Sequence, residues 1–133
     1  MVEEEEQCVA IGEQMQTEVT VWGTGSPRRE FLHVDDLAEA LVLLMRIYEG
    51  PVTINVGTGQ EVTIRELAEM MKDVVGYQGR ITWDSSKPDG TPRKLLDSSR
   101  IQKLGWPPKH LLHAGLASTY AWAVERGAFR SAA

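Results

Sequence analysis

Along this chain, short apolar runs alternate with stretches whose apolar residues recur every three or four positions, and the alternation maps its elements. Val19-Thr20-Val21-Trp22 is β-rich and stops at the turn cluster Gly23-Thr24-Gly25-Ser26-Pro27, so it reads as a strand running into a loop. After Arg28-Arg29-Glu30-Phe31-Leu32-His33-Val34, apolar residues recur at Leu37, Ala40, Leu41, Leu44, Met45 and Tyr48. That spacing places them on one helical face, with Asp35 and Asp36 supplying an N-cap and favourable charge at the start. The helix should end near Gly50-Pro51. Thr53-Ile54-Asn55-Val56 then predicts a buried strand closed by Gly57-Thr58-Gly59.

Thr63-Ile64-Arg65-Glu66 has the form of a capping box, in which Thr and the Glu three residues later satisfy each other's backbone donors. Leu67, Met70, Met71, Val74 and Val75 continue an apolar face, and Gly76 supplies a left-handed exit. Arg80-Ile81-Thr82-Trp83 predicts a short strand, followed by a polar segment from Asp84 to Lys94. Ser98 is placed to cap a short helix through Leu104, stopped by Gly105-Trp106-Pro107-Pro108. A last helix from about Leu111 to Glu125 carries Leu112, Leu116, Tyr120 and Ala123 on one face. Strands alternating with helices predict an α/β fold. Met70 and Met71 read as core, and Trp83, Trp106 and Trp122 as core or core-edge residues.

Composition bounds this picture. At 133 residues, 42% hydrophobic and 25% charged, the chain suits one globular domain. It is too short for a complete dinucleotide-binding domain plus a substrate domain. The net charge of −5 is unevenly placed: residues 1–18 hold six Glu and no Lys or Arg, whereas the remainder has 14 basic and 13 acidic groups. Residues 1–18 are expected to form a partly disordered acidic head, weakly periodic at Val9, Ile11 and Met15, and residues 19–133 a folded domain. No basic stripe points to nucleic acid, and no apolar run approaches a membrane span. The single Cys8 excludes an internal disulfide, and no Cys/His cluster has zinc spacing, so no metal and a reducing, cytoplasmic setting are expected.

The chemistry-bearing motifs are sparse. Gly23-Thr24-Gly25 and Gly57-Thr58-Gly59 follow predicted strands, yet Arg28 and Val62 stand where a dinucleotide fingerprint needs its third glycine. No Tyr-x-x-x-Lys, G-x-S-x-G, H-E-x-x-H or P-loop is found. What remains is a set of loops carrying Arg28, Arg29, Lys87, Arg93 and Lys94. Guanidinium groups fork onto phosphate oxygens, and Gly-rich loops let backbone donors approach the same oxygens. Trp22 offers an aromatic face to a base or sugar.

Residues 28–40, RREFLHVDDLAEA, are similar to a stretch of the extended short-chain dehydrogenase/reductases that act on nucleotide sugars. VWGTGSP (21–27), INVGTG (54–59), TIRELA (63–68), KPDGTPRKLLD (87–97) and GLASTY (115–120) together resemble the carboxy-terminal part of the GDP-L-fucose synthases. These are NADPH-dependent 3,5-epimerase/4-reductases of GDP-4-keto-6-deoxy-mannose. The resemblance spans about residues 19–126 and does not reach the head. It implies the substrate-binding part of an extended short-chain fold, with a few elements that complete a Rossmann sheet and no complete Rossmann domain. It also implies GDP-sugar contact by Trp22, Arg29, Asp89 and Lys94, and less directly by Arg93. Arg29 would pair with the diphosphate, while Asp89 would accept from the guanine edge or a ribose hydroxyl. His33 is implied to pack at a strand–helix junction.

The family's NADP loop, its Tyr-Lys reductase pair and its epimerase Cys and His lie upstream of the matching region. No catalytic residue is therefore assigned. NADP(H) belongs to the intact family and is not expected to bind this chain alone. The expected partners are a GDP-sugar and either an upstream domain or a second copy meeting an exposed sheet edge. Two other readings stay open: a non-catalytic interaction module, and a fragment of a different nucleotide-sugar epimerase or dehydratase.

Overall fold

The computed structural model describes residues 17–128. Cys8 and most of the predicted acidic head lie outside the described residues.

Strand β1 (Glu18–Trp22) pairs in parallel with β4 (Arg80–Asp84), Glu18 opposite Arg80 and Trp22 opposite Asp84. Alternation sorts their side chains. Glu18, Thr20, Arg80 and Thr82 share one face, where Arg80 Nη2 donates to Glu18 at 2.7 Å and the two threonine hydroxyls meet at 3.1 Å. Val19, Val21 and Ile81 turn to the other face, against Ala68, Met71 and Val75 of a helix and Tyr120 of another.

A second sheet has the order β3-β2-β5, each strand two residues long: β2 (Arg28–Arg29) in the middle, β3 (Val62–Thr63) antiparallel to it and β5 (Arg93–Lys94) parallel. The polar segment from Asp84 to Lys94 thus ends in a strand that its composition did not announce.

Helix α1 (Val34–Ile47) begins at His33, whose ring nitrogen accepts from the Asp35 amide. Asp35 and Asp36 are therefore first-turn residues and not the cap. Asp36 turns inward instead and is buried. The predicted single face of α1 also divides. Ala40 is fully buried with Ile101 and Trp106, and Leu43 and Leu44 pack on that cluster with Leu32, Ile54 and Val56. Leu37, Leu41 and Met45 lie on the adjoining flank of the helix and are exposed, Met45 at 87%. An apolar stripe wider than the surface these residues cover is the pattern of a helix with a further neighbour.

Residues 53–56 are not a strand in the structure. Ile54 and Val56 are half-buried on the core, but no ladder partner lies beside them among the described residues. A β-pattern needs a neighbouring edge to become a strand.

Helix α2 (Ile64–Val75) has both bonds of the capping box, Glu66 N–H to Thr63 Oγ1 at 3.0 Å and Thr63 N–H to Glu66 Oε2 at 2.7 Å, and ends on left-handed Gly76. Helix α3 (Ser99–Lys103) is capped differently from expectation: Ser98 makes no capping bond and is buried, while Asp97 Oδ1 accepts from Ser99 N–H at 3.0 Å. Helix α4 (Leu112–Glu125) packs on α2. Its Gly115 lies against the His33 ring, where an added Cβ would stand 3.1 Å from an imidazole carbon. Trp106 is core as expected, but Trp122 is 57% exposed. Among the described residues no helix is long and apolar enough to cross a membrane.

Candidate ligand-binding site

The first wall of the site is the glycine loop after β1. Gly23 and Gly25 have φ of 89° and 76°, conformations that L side chains rarely adopt. A Cβ at Gly25 would meet the Trp83 ring at 2.6 Å, and one at Gly23 would strike the Asp89 carboxylate. Asp89 Oδ1 accepts from Thr24 N–H at 2.8 Å and Oδ2 from Thr24 Oγ1 at 2.6 Å. Arg65 Nη2 donates to the Thr24 carbonyl at 2.6 Å. The Thr24 hydroxyl, then its amide, hold the Asp89 carboxyl below its ordinary pKa. Asp89 is thus placed to shape the loop, and both of its oxygens are engaged there.

Just before this loop Trp22 stands 74% exposed, with the Lys87 ammonium 5.5 Å from its ring centroid. An exposed indole under a cation is a ready surface for a flat ring.

The second wall is the β2–β5 ladder. It sets Arg28 opposite Arg93 and Arg29 opposite Lys94, so four cations occupy adjoining positions. Glu61, just before β3, receives Arg28 Nε on Oε1 at 2.8 Å and Arg93 Nε on Oε2 at 2.7 Å. Arg93, then burial in opposition, then Arg28 set its carboxyl, and the net result lies below the ordinary value. The Arg29 guanidinium lies beside Gly90, where an added Cβ would be 3.4 Å from Nη2. The loop that carries Lys87, Asp89 and Gly90 therefore borders Trp22, the glycine loop and Arg29 together.

Arg29 also lines a cavity of about 180 Å³ with Phe31, Thr58, Gln60, Lys109 and His110. Its far side is held by Asp36, which accepts from the Lys109 and His110 amides at 3.1 and 3.0 Å and meets His110 Nδ1 at 2.9 Å. Burial opposes the charged form of Asp36, but these bonds prevail and keep its pKa low. His110 stacks on His33 with ring centroids 4.0 Å apart. His33, Asp35 and His110 form a cluster of ligand-bearing atoms, yet the rings lie face to face at 18°. Imidazole lone pairs lie in the ring plane, so those of stacked rings do not converge on one ion.

The structure thus gathers Trp22, Arg29 and Asp89 around one loop, places Lys94 next to Arg29, and pairs Arg93 with Glu61. Reasoning from sequence missed Glu61, Glu30 and Asp36. Glu30 accepts from Gly59 N–H at 2.6 Å and Leu96 N–H at 3.1 Å, tying the second glycine turn to the end of β5. Nothing local in the sequence signals these carboxylates, since Arg28–Arg29 and Arg93–Lys94 lie 65 positions apart and meet only through the β2–β5 pairing.

The NAD dependent epimerase/dehydratase family matches residues 6–57, starting inside the head, where the sequence reading found no resemblance. Probable GDP-L-fucose synthase 1 of Oryza sativa is 67% identical over 108 residues, which are 81% of this chain and 33% of that protein. Over most of its length the chain is similar to part of the GDP-L-fucose synthases. It spans about a third of the length of the curated relatives it matches. The GDP-mannoheptose C4 reductase of Campylobacter jejuni, solved with NADP bound, is 38% identical with a TM-score of 0.70, covering 80% of this chain and 35% of that one. A GDP-L-fucose synthetase from Naegleria fowleri bound to NADP has a TM-score of 0.79 at 24% identity, over 89% of this chain and 38% of that one, and shows the shared fold.

Among the described residues neither glycine turn has the form of a dinucleotide-binding loop. A dinucleotide site runs from a strand through a glycine loop into a helix N-terminus. Here the Gly23–Gly25 loop leads into β2 and the Gly57–Gly59 turn into β3.

Proposed function

We propose that the chain is the nucleotide-sugar-binding part of a GDP-L-fucose synthase. It holds a GDP-sugar with the diphosphate on Arg29 and Lys94 and a ring of the ligand against Trp22. Asp89 shapes the glycine loop beside them, and Arg93 belongs to the same basic ladder. The observation that carries this reading is the convergence of Trp22, Arg29 and the Asp89–Gly90 turn on one loop. The whole-protein reaction, epimerisation at two sugar carbons followed by hydride delivery from NADPH, draws on groups outside this sequence. This chain alone is inactive in that reaction.

Calorimetric titration of the chain with GDP, UDP and dTDP tests the reading. GDP is expected to bind best, and Arg29→Ala to weaken it by about tenfold, the loss of one charge-assisted contact of about 1.5 kcal/mol. Equal heats for parent and variant remove Arg29 from the site, and preference for UDP or dTDP favours a different nucleotide-sugar enzyme. NADPH consumption with the keto-sugar by pure chain overturns the inactivity.

A second reading rests on the outer face of α1. Val34, Leu41 and Met45 are 67%, 49% and 87% exposed, a surface suited to pairing with an upstream domain or a second copy. Sedimentation decides: self-association abolished by Leu41→Glu and Met45→Glu supports it, and a monomer stabilised by GDP favours ligand binding alone.

A further inference from the structure

The β2–β5 ladder stacks its four cations in two registered pairs with different surroundings. Registered partners share a face and neighbours along a strand take opposite faces, so Arg28 and Arg93 project together on one side, Arg29 and Lys94 on the other. Like charges directly opposite weaken a ladder. On the first face one carboxylate answers both cations: Glu61, its side chain 14% exposed, takes Arg28 on one oxygen and Arg93 on the other. On the second face Arg29 Nη1 donates to the Arg28 carbonyl at 2.7 Å, and no carboxylate among the described residues pairs with Arg29 or Lys94.

The backbone alone holds this ladder weakly. Each strand is two residues long, well under the length of an ordinary strand. Residues 85–97, which surround β5, are exposed throughout. The Arg28 amide adds one bond to the Pro92 carbonyl at 2.8 Å. Glu61 crosses from β2 to β5 through two charged contacts below 3 Å and is the strongest side-chain tie between them.

We propose that Glu61 is a positioning residue: by clamping Arg28 to Arg93 it holds β5 in register on β2 and keeps Lys94 beside Arg29 as a two-cation seat for a diphosphate. This rests on the GDP-sugar reading and deepens it, assigning Arg93 to the frame and Lys94 to the ligand face. One carboxylate against two guanidiniums leaves that face with one net positive charge and the Arg29–Lys94 face with two, so an anion is drawn more strongly to the second side of the ladder.

Amide hydrogen exchange on the whole chain reads the clamp without ligand. In Glu61→Gln the Arg28 amide and the β5 amides should exchange about tenfold faster or more, with β1 and β4 unchanged. Glu61→Asp should retain part of the protection. Unchanged protection of Arg28 and β5 in folded Glu61→Gln overturns the proposal. Arg93→Gln, which breaks the clamp from its other end and keeps the Arg28–Glu61 contact, should show the same local loss if Glu61→Gln does not fold. GDP titration supplies the functional readout. Lys94→Gln should weaken GDP roughly fivefold in the parent and by less than about twofold in the Glu61→Gln background. Equal losses in both backgrounds overturn the positioning role. Absence of GDP binding to the parent overturns the GDP reading instead, while exchange still decides the clamp.

Discussion

Replacing Asp36 with alanine removes the acceptor on which three donors of the segment before α4 converge, the Lys109 and His110 amides and His110 Nδ1. The carboxylate is 1% exposed, so water does not take its place without reorganisation. Each donor left unsatisfied costs about 1–3 kcal/mol. The His110 side chain is 37% exposed and regains some hydration, so the total comes to about 2–4 kcal/mol for Asp36→Ala. Asp36→Asn keeps one carbonyl oxygen for an amide and should cost about 1–2 kcal/mol. In a chain of this size each kcal/mol moves the midpoint by roughly 3–6 °C, so alanine should lower Tm by about 6–24 °C and asparagine by about half as much. Thermal unfolding followed by circular dichroism at pH 7 measures both. Because the folded pKa of Asp36 is lowered, its contribution is present above the unfolded-state value and is lost as pH falls through the folded one. Parent and variants should therefore converge in acid. An alanine variant melting within about 2 °C of the parent at pH 7, or a difference that does not shrink as pH falls below the unfolded-state value near 4, refutes the reasoning.

Thr63→Ala removes the N-cap of α2 and should cost about 0.5–2 kcal/mol by urea titration, with Thr63→Ser close to the parent. Gly25→Ala forces a side chain into a left-handed conformation against Trp83 and should cost at least about 1–2 kcal/mol, and near-UV circular dichroism should register the altered indole environment. The whole chain should be acid-labile, since Glu18, Asp36, Glu61, Glu66, Asp89 and Asp97 all have lowered pKa values. Depressed carboxylates stabilise above their unfolded values near 4 and lose this as pH falls, so a melting temperature constant from pH 6 down to 3 contradicts the assignment.

Much of the fold was legible because the relevant physics is local. The capping box at Thr63, the left-handed Gly76 and the β-rich run before Gly23 depend on residues three or four apart, and all three stand in the structure. The strand expected at 53–56 did not form, because its hydrogen bonds need an edge that the described residues do not supply. The face of α1 was read as one stripe, whereas packing on Ile101 and Trp106 chose Ala40, Leu43 and Leu44 and left Leu37, Leu41 and Met45 outside. Periodicity tells that residues are apolar and not which neighbour covers them.

The sequence by itself determined the residue types on which a diphosphate site rests, Trp22 before a glycine loop and basic residues at 28–29 and 93–94, and its resemblance to one family located the substrate-binding part. Which of those cations face a ligand was decided only in three dimensions. Glu61 lies 33 residues from Arg28 and 32 from Arg93, and pairs with both because β2 and β5 are brought side by side. Asp89 likewise sits 65 residues from Thr24, and the loop it shapes exists only where the two segments meet. Coulomb attraction and hydrogen bonding act over a few ångströms of space, and distance along the chain does not report them.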